Sequence, residues 1–179
     1  MLKDTEKSVL DKEEKRLLRR VKTGKAAAQC ELAIFYTNLD DHAAAFPLYE
    51  KSAAQENKQA EYQLGWCYLH GKGVKKDAAK GVYWMTRAAN HGDGYAFFPL
   101  GDIVAHGKHG AKIDKVEGYK WLKLSLPGYS DSRDRSYQDD VKAKLVKLEK
   151  SMTAKEITEA KRRARQFKSV GPVVRDWAE

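Results

Sequence analysis

The chain has 179 residues, 42% of them hydrophobic and 33% charged, which suits one domain with a real core and argues against wholesale disorder. Lys and Arg number 34 against 25 Asp and Glu, a formal charge of +9, and the two cysteines, Cys30 and Cys67, are too few for a disulfide scaffold or a zinc knuckle. No apolar run approaches about 18 residues, so no membrane span is expected.

The chain opens MLKDTEKSVLDKEEKRLLRR, charged throughout and without an apolar stretch before a small-residue cleavage site. That is not a secretory signal, which points to a cytoplasmic chain, or a periplasmic one had a leader been removed. Val9, Leu10, Leu17, Leu18 and Val21 mark an amphipathic helix over residues 6–22, within an N-terminal capping segment of residues 6–25.

Self-similarity dominates the middle of the chain. Residues 60–92, AEYQLGWCYLHGKGVKKDAAKGVYWMTRAANHG, align with residues 96–129, AFFPLGDIVAHGKHGAKIDKVEGYKWLKLSLPGY. Shared positions are Leu64/Leu100, Gly65/Gly101, His70/His106, Gly71/Gly107, Asp77/Asp114, Gly81/Gly118 and Trp84/Trp121. A worn earlier copy over residues 26–57 keeps Ala28, Leu32, Tyr36 and Tyr49, with Ala53-Ala54 matched to Ala88-Ala89, and lacks the Gly-rich loop. The anchors Ala28, Ala60 and Ala96 are 32 and 36 residues apart, a spacing that fits one helix–turn–helix unit per repeat. The units run 26–57, 58–92 and 93–129.

Helical geometry explains the pattern. Ala60, Cys67 and Tyr68 fall within about 60° of Leu64 on a helical wheel and form one apolar stripe. Gly65 and Gly101 sit at its flank, where a missing side chain lets a partner helix approach, at a cost of about 1 kcal/mol in helix propensity. GKGVKKD ends the first helix on glycines able to take positive φ, and Asp77 caps the second. Pro99 lies inside the first helix of the third unit and Pro47 inside the second helix of the first. Each is expected to remove a hydrogen bond and to bend or delay its helix.

Residues 127–136, PGYSDSRDRS, read as a long loop. Capping helices over 136–168 follow: Tyr137, Val141, Leu145 and Leu148 form one stripe, and Thr153-Ala-Lys-Glu156 is a capping box. The last helix is expected to bury Ile157, Ala160, Ala164 and Phe167, to expose Lys161, Arg162, Arg163 and Arg165, and to end at Gly171-Pro172 before a frayed tail, 169–179. Nine basic and five acidic residues lie in 1–25, seven and eight in 26–100, and eighteen and twelve in 101–179, so the positive charge sits outside the most patterned region.

The pattern A-x-x-x-L-G-x-x-Y-x-x-G-x-G-V-x-x-D-x6-W-x3-A-A-x-x-G resembles the Sel-1-like repeat family, relatives of the tetratricopeptide repeats. Residues 60–92 match nearly every position; residues 96–129 carry Val104 where Tyr is usual and Ser125-Leu126 in place of Ala-Ala. The resemblance implies an all-α, right-handed α-solenoid of antiparallel helix pairs with capping helices at both ends. Its members act as scaffolds or adaptors for other proteins, and it implies no catalytic residue. Cysteine-rich members staple each pair with a disulfide, and this chain lacks their spacing.

Residues two before and two, five and six after the repeat leucine point about 120–200° away from it. They are Tyr62, Trp66, Leu69 and His70; then Phe98, Asp102, Ala105 and His106, joined by Tyr95; and, in the worn copy, Cys30, Ile34, Thr37 and Asn38. In tetratricopeptide-type proteins the equivalent positions line a concave groove. The resemblance therefore nominates Tyr62, Trp66, His70, Tyr95, Phe98, Asp102, His106, Ile34 and Asn38 as a partner-binding set, aromatic anchors beside hydrogen-bonding groups. The alternative, that Tyr62, Trp66 and Phe98 pack between repeats, stays open at this level.

No metal or cofactor is expected. His70 and His106 should stand about 10 Å apart, wide for one ion, and His106-Gly-Lys-His109 is not the HExxH of a zinc protease. Cys30 and Cys67 read as buried free thiols. With no nucleophile–base spacing, paired carboxylates or GxxxxGK, the chain reads as a non-enzymatic scaffold or adaptor for a protein partner, with bacterial immunity (effector neutralisation) as a narrower version. A second reading has the basic terminal helices, above all KEITEAKRRARQFK with six positive and two negative charges, meet nucleic acid or another acidic surface.

Overall fold

Six side chains fix where helices begin. Asp41, Asn57, Asp77, Asp93, Asp114 and Thr153 each accept a backbone N–H of the following first turn, so the six helices that follow them start on satisfied caps. Thr153 and Glu156 complete the reciprocal capping box. The computed structural model describes residues 4–126 and 135–169, with side chains over 7–126 and 136–169. In order the helices are α1 (Asp4–Val21), α2 (Ala26–Asn38), α3 (His42–Ala53), α4 (Lys58–His70), α5 (Ala78–Asn90), α6 (Gly94–His106), α7 (Lys115–Ser125), α8 (Arg135–Glu149) and α9 (Ala154–Gln166), with a short 3-10 turn Lys108–Gly110 after α6. The long loop expected over 127–136 lies mostly outside the described residues, except that 135 and 136 already belong to α8; the tail from 170 onward lies outside them as well.

The helices pair as α2 with α3, α4 with α5 and α6 with α7, and successive pairs stack through α3 on α4 and α5 on α6. The result is an all-α repeat solenoid. Its core is continuous because each cluster straddles a repeat boundary. Cys30, Ala33, Ala45, Tyr49 and Ala53 of the first pair close on Ala60, Leu64, Cys67 and Tyr68 of α4. Leu69, Met85, Ala88 and Ala89 of the second pair close on Ala96, Leu100 and Ile103 of α6, with Trp121. Leu64 and Leu100 thus do the same job one repeat apart, each 1% exposed against the preceding pair.

Glycines set how close paired helices come. A Cβ on Gly65 would lie 3.0 Å from the Gly81 carbonyl oxygen, and one on Gly101 would lie 3.0 Å from that of Gly118, so both repeats cross at a glycine pair. In the worn repeat Ala33 and Ala45 hold these places, each fully buried. Gly71 ends α4 at φ 72°, in the left-handed region that glycine favours.

The structure corrects several expectations. Pro47 and Pro99 sit inside α3 and α6, and neither delays its helix, which starts five residues earlier on its Asp cap; tertiary burial of the apolar face outweighs one missing N–H. The worn repeat is one residue out of the expected register: Ser52 and Ala53 are the fully buried pair, whereas Ala54 is exposed at the helix end. On α1, Leu17 is buried but Val9 and Leu18 are exposed, since α1 packs on one side only, against α2. Val141, Leu145, Leu148 and Ala160 form the third cluster with Ala105, Tyr119 and Leu122. α9 stops at Gln166, before Gly171, and Phe167 turns extended to pack edge-on against Phe97 and Trp121, at 5.9 and 5.3 Å between ring centroids.

A depression between α4 and α6

The 4- and 3-residue spacing on α4 puts Tyr62, Trp66, Leu69 and His70 along one side, and α6 answers with Phe98, Pro99, Asp102 and Ile103. Met85 of α5 closes the bottom, and Lys108 and His109 of the 3-10 turn stand at the edge of a recess of about 280 Å³. The turn is thrown across by Gly107 at φ 65°, with His109 also in the left-handed region at φ 57°. Trp66 stacks on His70, 4.5 Å between centroids and 26° between planes, while His70 Nδ1 donates to the Trp66 carbonyl at 3.0 Å. His109 meets His70 edge-on at 5.5 Å. Partial burial and the positive charge of Lys76, His70 and Lys108 hold the His109 imidazole below the ordinary histidine range.

Asp102 organises the polar side. It is 8% exposed and pairs with Lys108, with Lys144 of α8 at 3.5 Å and with His106 Nδ1 at 3.2 Å. Burial alone would push its carboxyl up, but these cations outweigh burial and hold it below the usual carboxylate range. Lys144 also reaches over the Phe98 ring, 5.7 Å from its centroid.

Of the nominated residues, Tyr62, Trp66, His70, Phe98 and Asp102 meet in this recess. His106 stands beside it, on Asp102. Tyr95 is 53% exposed on the first turn of α6, Ile34 packs against the first core cluster, and Asn38 is exposed at the end of α2; none of the three lines the recess. Cys30 and Ala105, on the same wheel positions, are buried in core clusters. The choice between groove and inter-repeat packing dissolves: Trp66 packs against the first and second clusters, Tyr62 against the second, and Phe98 against Tyr137 at 5.3 Å, while one edge of each borders the recess.

Sequence reasoning did not nominate Met85, Lys108, His109 or Lys144. The extra residue in the loop after α6 was the available signal for the two turn residues; Lys144 had none, being 42 positions from Asp102. It also passed over Glu61, which is fully buried, with Oε2 2.7 Å from His91 Nδ1 and Oε1 3.0 Å from Arg87 Nε. Burial pushes the Glu61 carboxyl up, against the pull of His91 and Arg87. The triad ties α4 to the end of α5, well inside the stack.

The cysteines are free and buried, and burial pushes the Cys30 thiol up to about 12 and that of Cys67 to about 11, so both stay protonated and unreactive at neutral pH. The basic face of α9 is less bare than its sequence implies. Arg163 donates to Glu117 at 2.6 Å and Glu159 at 2.8 Å, Arg162 to Glu159 at 2.6 Å, and Lys161 pairs with Glu149 at 3.1 Å. Lys123, Leu124, Lys161, Ala164 and Arg165 line a second recess, of about 410 Å³, between α7 and α9. Among the described residues no helix is long and apolar enough to cross a membrane.

A family model for the Sel1 repeat matches residues 26–57, 58–93 and 100–125. Protein SHC1 of Saccharomyces cerevisiae is 34% identical over 82 residues, 44% of this chain and 16% of that protein. An uncharacterized protein of Neisseria meningitidis serogroup B is 39% identical over 69 residues, 38% of this chain and 15% of that one. The matched segments thus span about a sixth of these curated relatives. Among solved structures, a protective antigen of uropathogenic Escherichia coli strains, displaying an SLR fold, superposes with a TM-score of 0.74 at 29% identity, over 86% of this chain and 32% of that chain. A Sel1 repeat protein from Oxalobacter formigenes gives 0.58 at 28%, over 70% of this chain and 96% of that chain.

Proposed function

Because the chain belongs to the Sel1 repeat family, whose members are generally protein–protein interaction scaffolds, we propose that it is a non-enzymatic adaptor holding a segment of a partner protein in the α4–α6 recess. The observation that carries this is the convergence of Tyr62, Trp66, Leu69, Phe98 and Ile103 with Asp102, Lys108 and two histidine rings in one open recess. Half-buried aromatic rings fixed by their own packing lose little entropy on contact, and polar groups at the edge set orientation. Tyr95, Ile34 and Asn38 stay in the proposal only as outlying contacts for a longer segment.

The test is capture from the native host with purified wild type, Trp66→Ala, and Tyr83→Ala, whose 55%-exposed side chain lies outside the recess. Capture retained by Tyr83→Ala and lost by a helical Trp66→Ala supports the reading; equal capture by all three removes it. The narrower version, neutralisation of a toxic effector, concerns the same surface, and co-expression with the product of a neighbouring toxin gene tests it. Nucleic acid is the weaker reading, because Glu117, Glu149 and Glu159 already engage Arg162, Arg163 and Lys161.

A further inference from the structure

We infer that the α4–α6 recess selects an acidic peptide segment, one carrying a carboxylate side chain next to a bulky apolar one; this deepens the partner-binding reading and rests on it. The floor made by Tyr62, Trp66, Leu69, Met85 and Ile103 asks for an apolar anchor. The edge carries surplus positive charge. Asp102 has a side chain only 11% exposed and spends its charge inward, on two lysines at once. Those lysines remain partly accessible, Lys108 at 50% and Lys144 at 29% of the side chain, so two ammonium groups share one enclosed carboxylate.

Asp102 therefore acts as a positioning residue: it holds Lys108 at the recess and Lys144 beside it, its own carboxylate largely enclosed. The imidazoles of His70 and His109 stand at the recess, and that of His106 stands beside it on Asp102. Lys76 contributes further positive potential from the loop after α4, since it acts on His109. A Lys- or Arg-rich segment would meet like charge from Lys108, Lys144 and Lys76, whereas a carboxylate reaching Lys108 and Lys144 makes charge-assisted hydrogen bonds beside a low-dielectric floor.

Selection of a random peptide library displayed on phage, run in parallel on wild type, Trp66→Ala, Lys108→Gln and Lys144→Gln, tests this. Single lysine variants leave Asp102 one ammonium partner, so neither strands a buried charge. Wild type is expected to enrich peptides with Asp or Glu beside an aromatic or large aliphatic residue. Trp66→Ala should lose the enrichment, and each lysine variant should keep the apolar signature while losing the acidic excess. An enriched peptide remade with Gln for Glu should bind about tenfold more weakly, consistent with the loss of a charge-assisted contact. Should Trp66→Ala fail to fold by circular dichroism, His70→Glu, at an exposed position, must show the same loss of acidic peptides.

A Trp66-dependent pool without acidic excess, or an acidic excess indifferent to both lysines, overturns the acidic preference and leaves the recess as a binding site. Enrichment identical on wild type and Trp66→Ala, or none on wild type, overturns the preference together with the site.

Discussion

Asp93 shows how one side chain carries both a cap and a pH dependence. It caps α6 by accepting the Tyr95 N–H at 2.9 Å while only 5% exposed. Burial pushes its carboxyl up to about 6, with Tyr95, Lys58 and Ala96 pulling down and Glu61 pushing up. The folded state therefore holds this proton more tightly than the unfolded chain. The contribution is fully present below the unfolded value of about 4 and is lost as pH rises through about 6, up to about 3 kcal/mol in all. Asp93→Asn keeps a capping oxygen and removes the titration. Its melting temperature relative to wild type should climb between pH about 4 and about 7; parallel offsets across that range would contradict the assignment. The sequence pattern singled out Asp77 as a cap and not Asp93, whose role and burial only the folded chain supplies. Glu61 shows the same limit: a glutamate beside the Ala60–Leu64 stripe reads as a flanking charge until Arg87 and His91 fold over it.

At the scale of elements, the repeated glycines were legible as contact points, and the structure supplies their partners. A Cβ on Gly118 would come within 2.5 Å of the Ala105 Cβ, 2.6 Å of its Cα and 2.7 Å of its N, so helix backbones would have to separate. Backbone cannot rotate away as a side chain does. The clash, about 1–3 kcal/mol, should outweigh the roughly 1 kcal/mol that Ala brings to a helix interior. Gly118→Ala is therefore expected to lower the denaturation midpoint by urea. Gly94→Ala is the contrast: nothing lies within 4 Å of its added Cβ, and it should be neutral or gain a few tenths of a kcal/mol. Equal effects at both sites would show that propensity, not close approach, governs these positions. Pro47 and Pro99 delay neither helix start, because burial of whole helix faces outweighs one lost hydrogen bond.

For the whole molecule, stability depends on covering the last repeat. Tyr119 and Leu122 of α7 and Ala105 of α6 are buried under Val141, Leu145, Leu148 and Ala160. A chain ending at Leu126 would uncover this cluster and forfeit three aliphatic contacts of about 1.5–3 kcal/mol each, a large part of a typical stability of about 5–15 kcal/mol. It should melt lower and less cooperatively than the full chain and bind a hydrophobic dye; an unchanged, sharp transition would mean the terminal helices are not a cap. The same helices support the recess from outside, since Lys144 of α8 reaches Asp102 and Phe98.

The amino-acid sequence alone determined the helical repeat, the Asp77 cap and the Ala60–Leu64–Cys67–Tyr68 stripe, because each depends on neighbours within about one helical turn or on copying at a fixed period. Only the tertiary structure decided which outward-facing side chains share a recess, that Asp102 is enclosed by Lys108 and Lys144, and that Glu61 and Asp93 are buried. Those outcomes depend on how far the chain curls between one helix pair and the next, and residues far apart along the chain meet only when that stacking is complete.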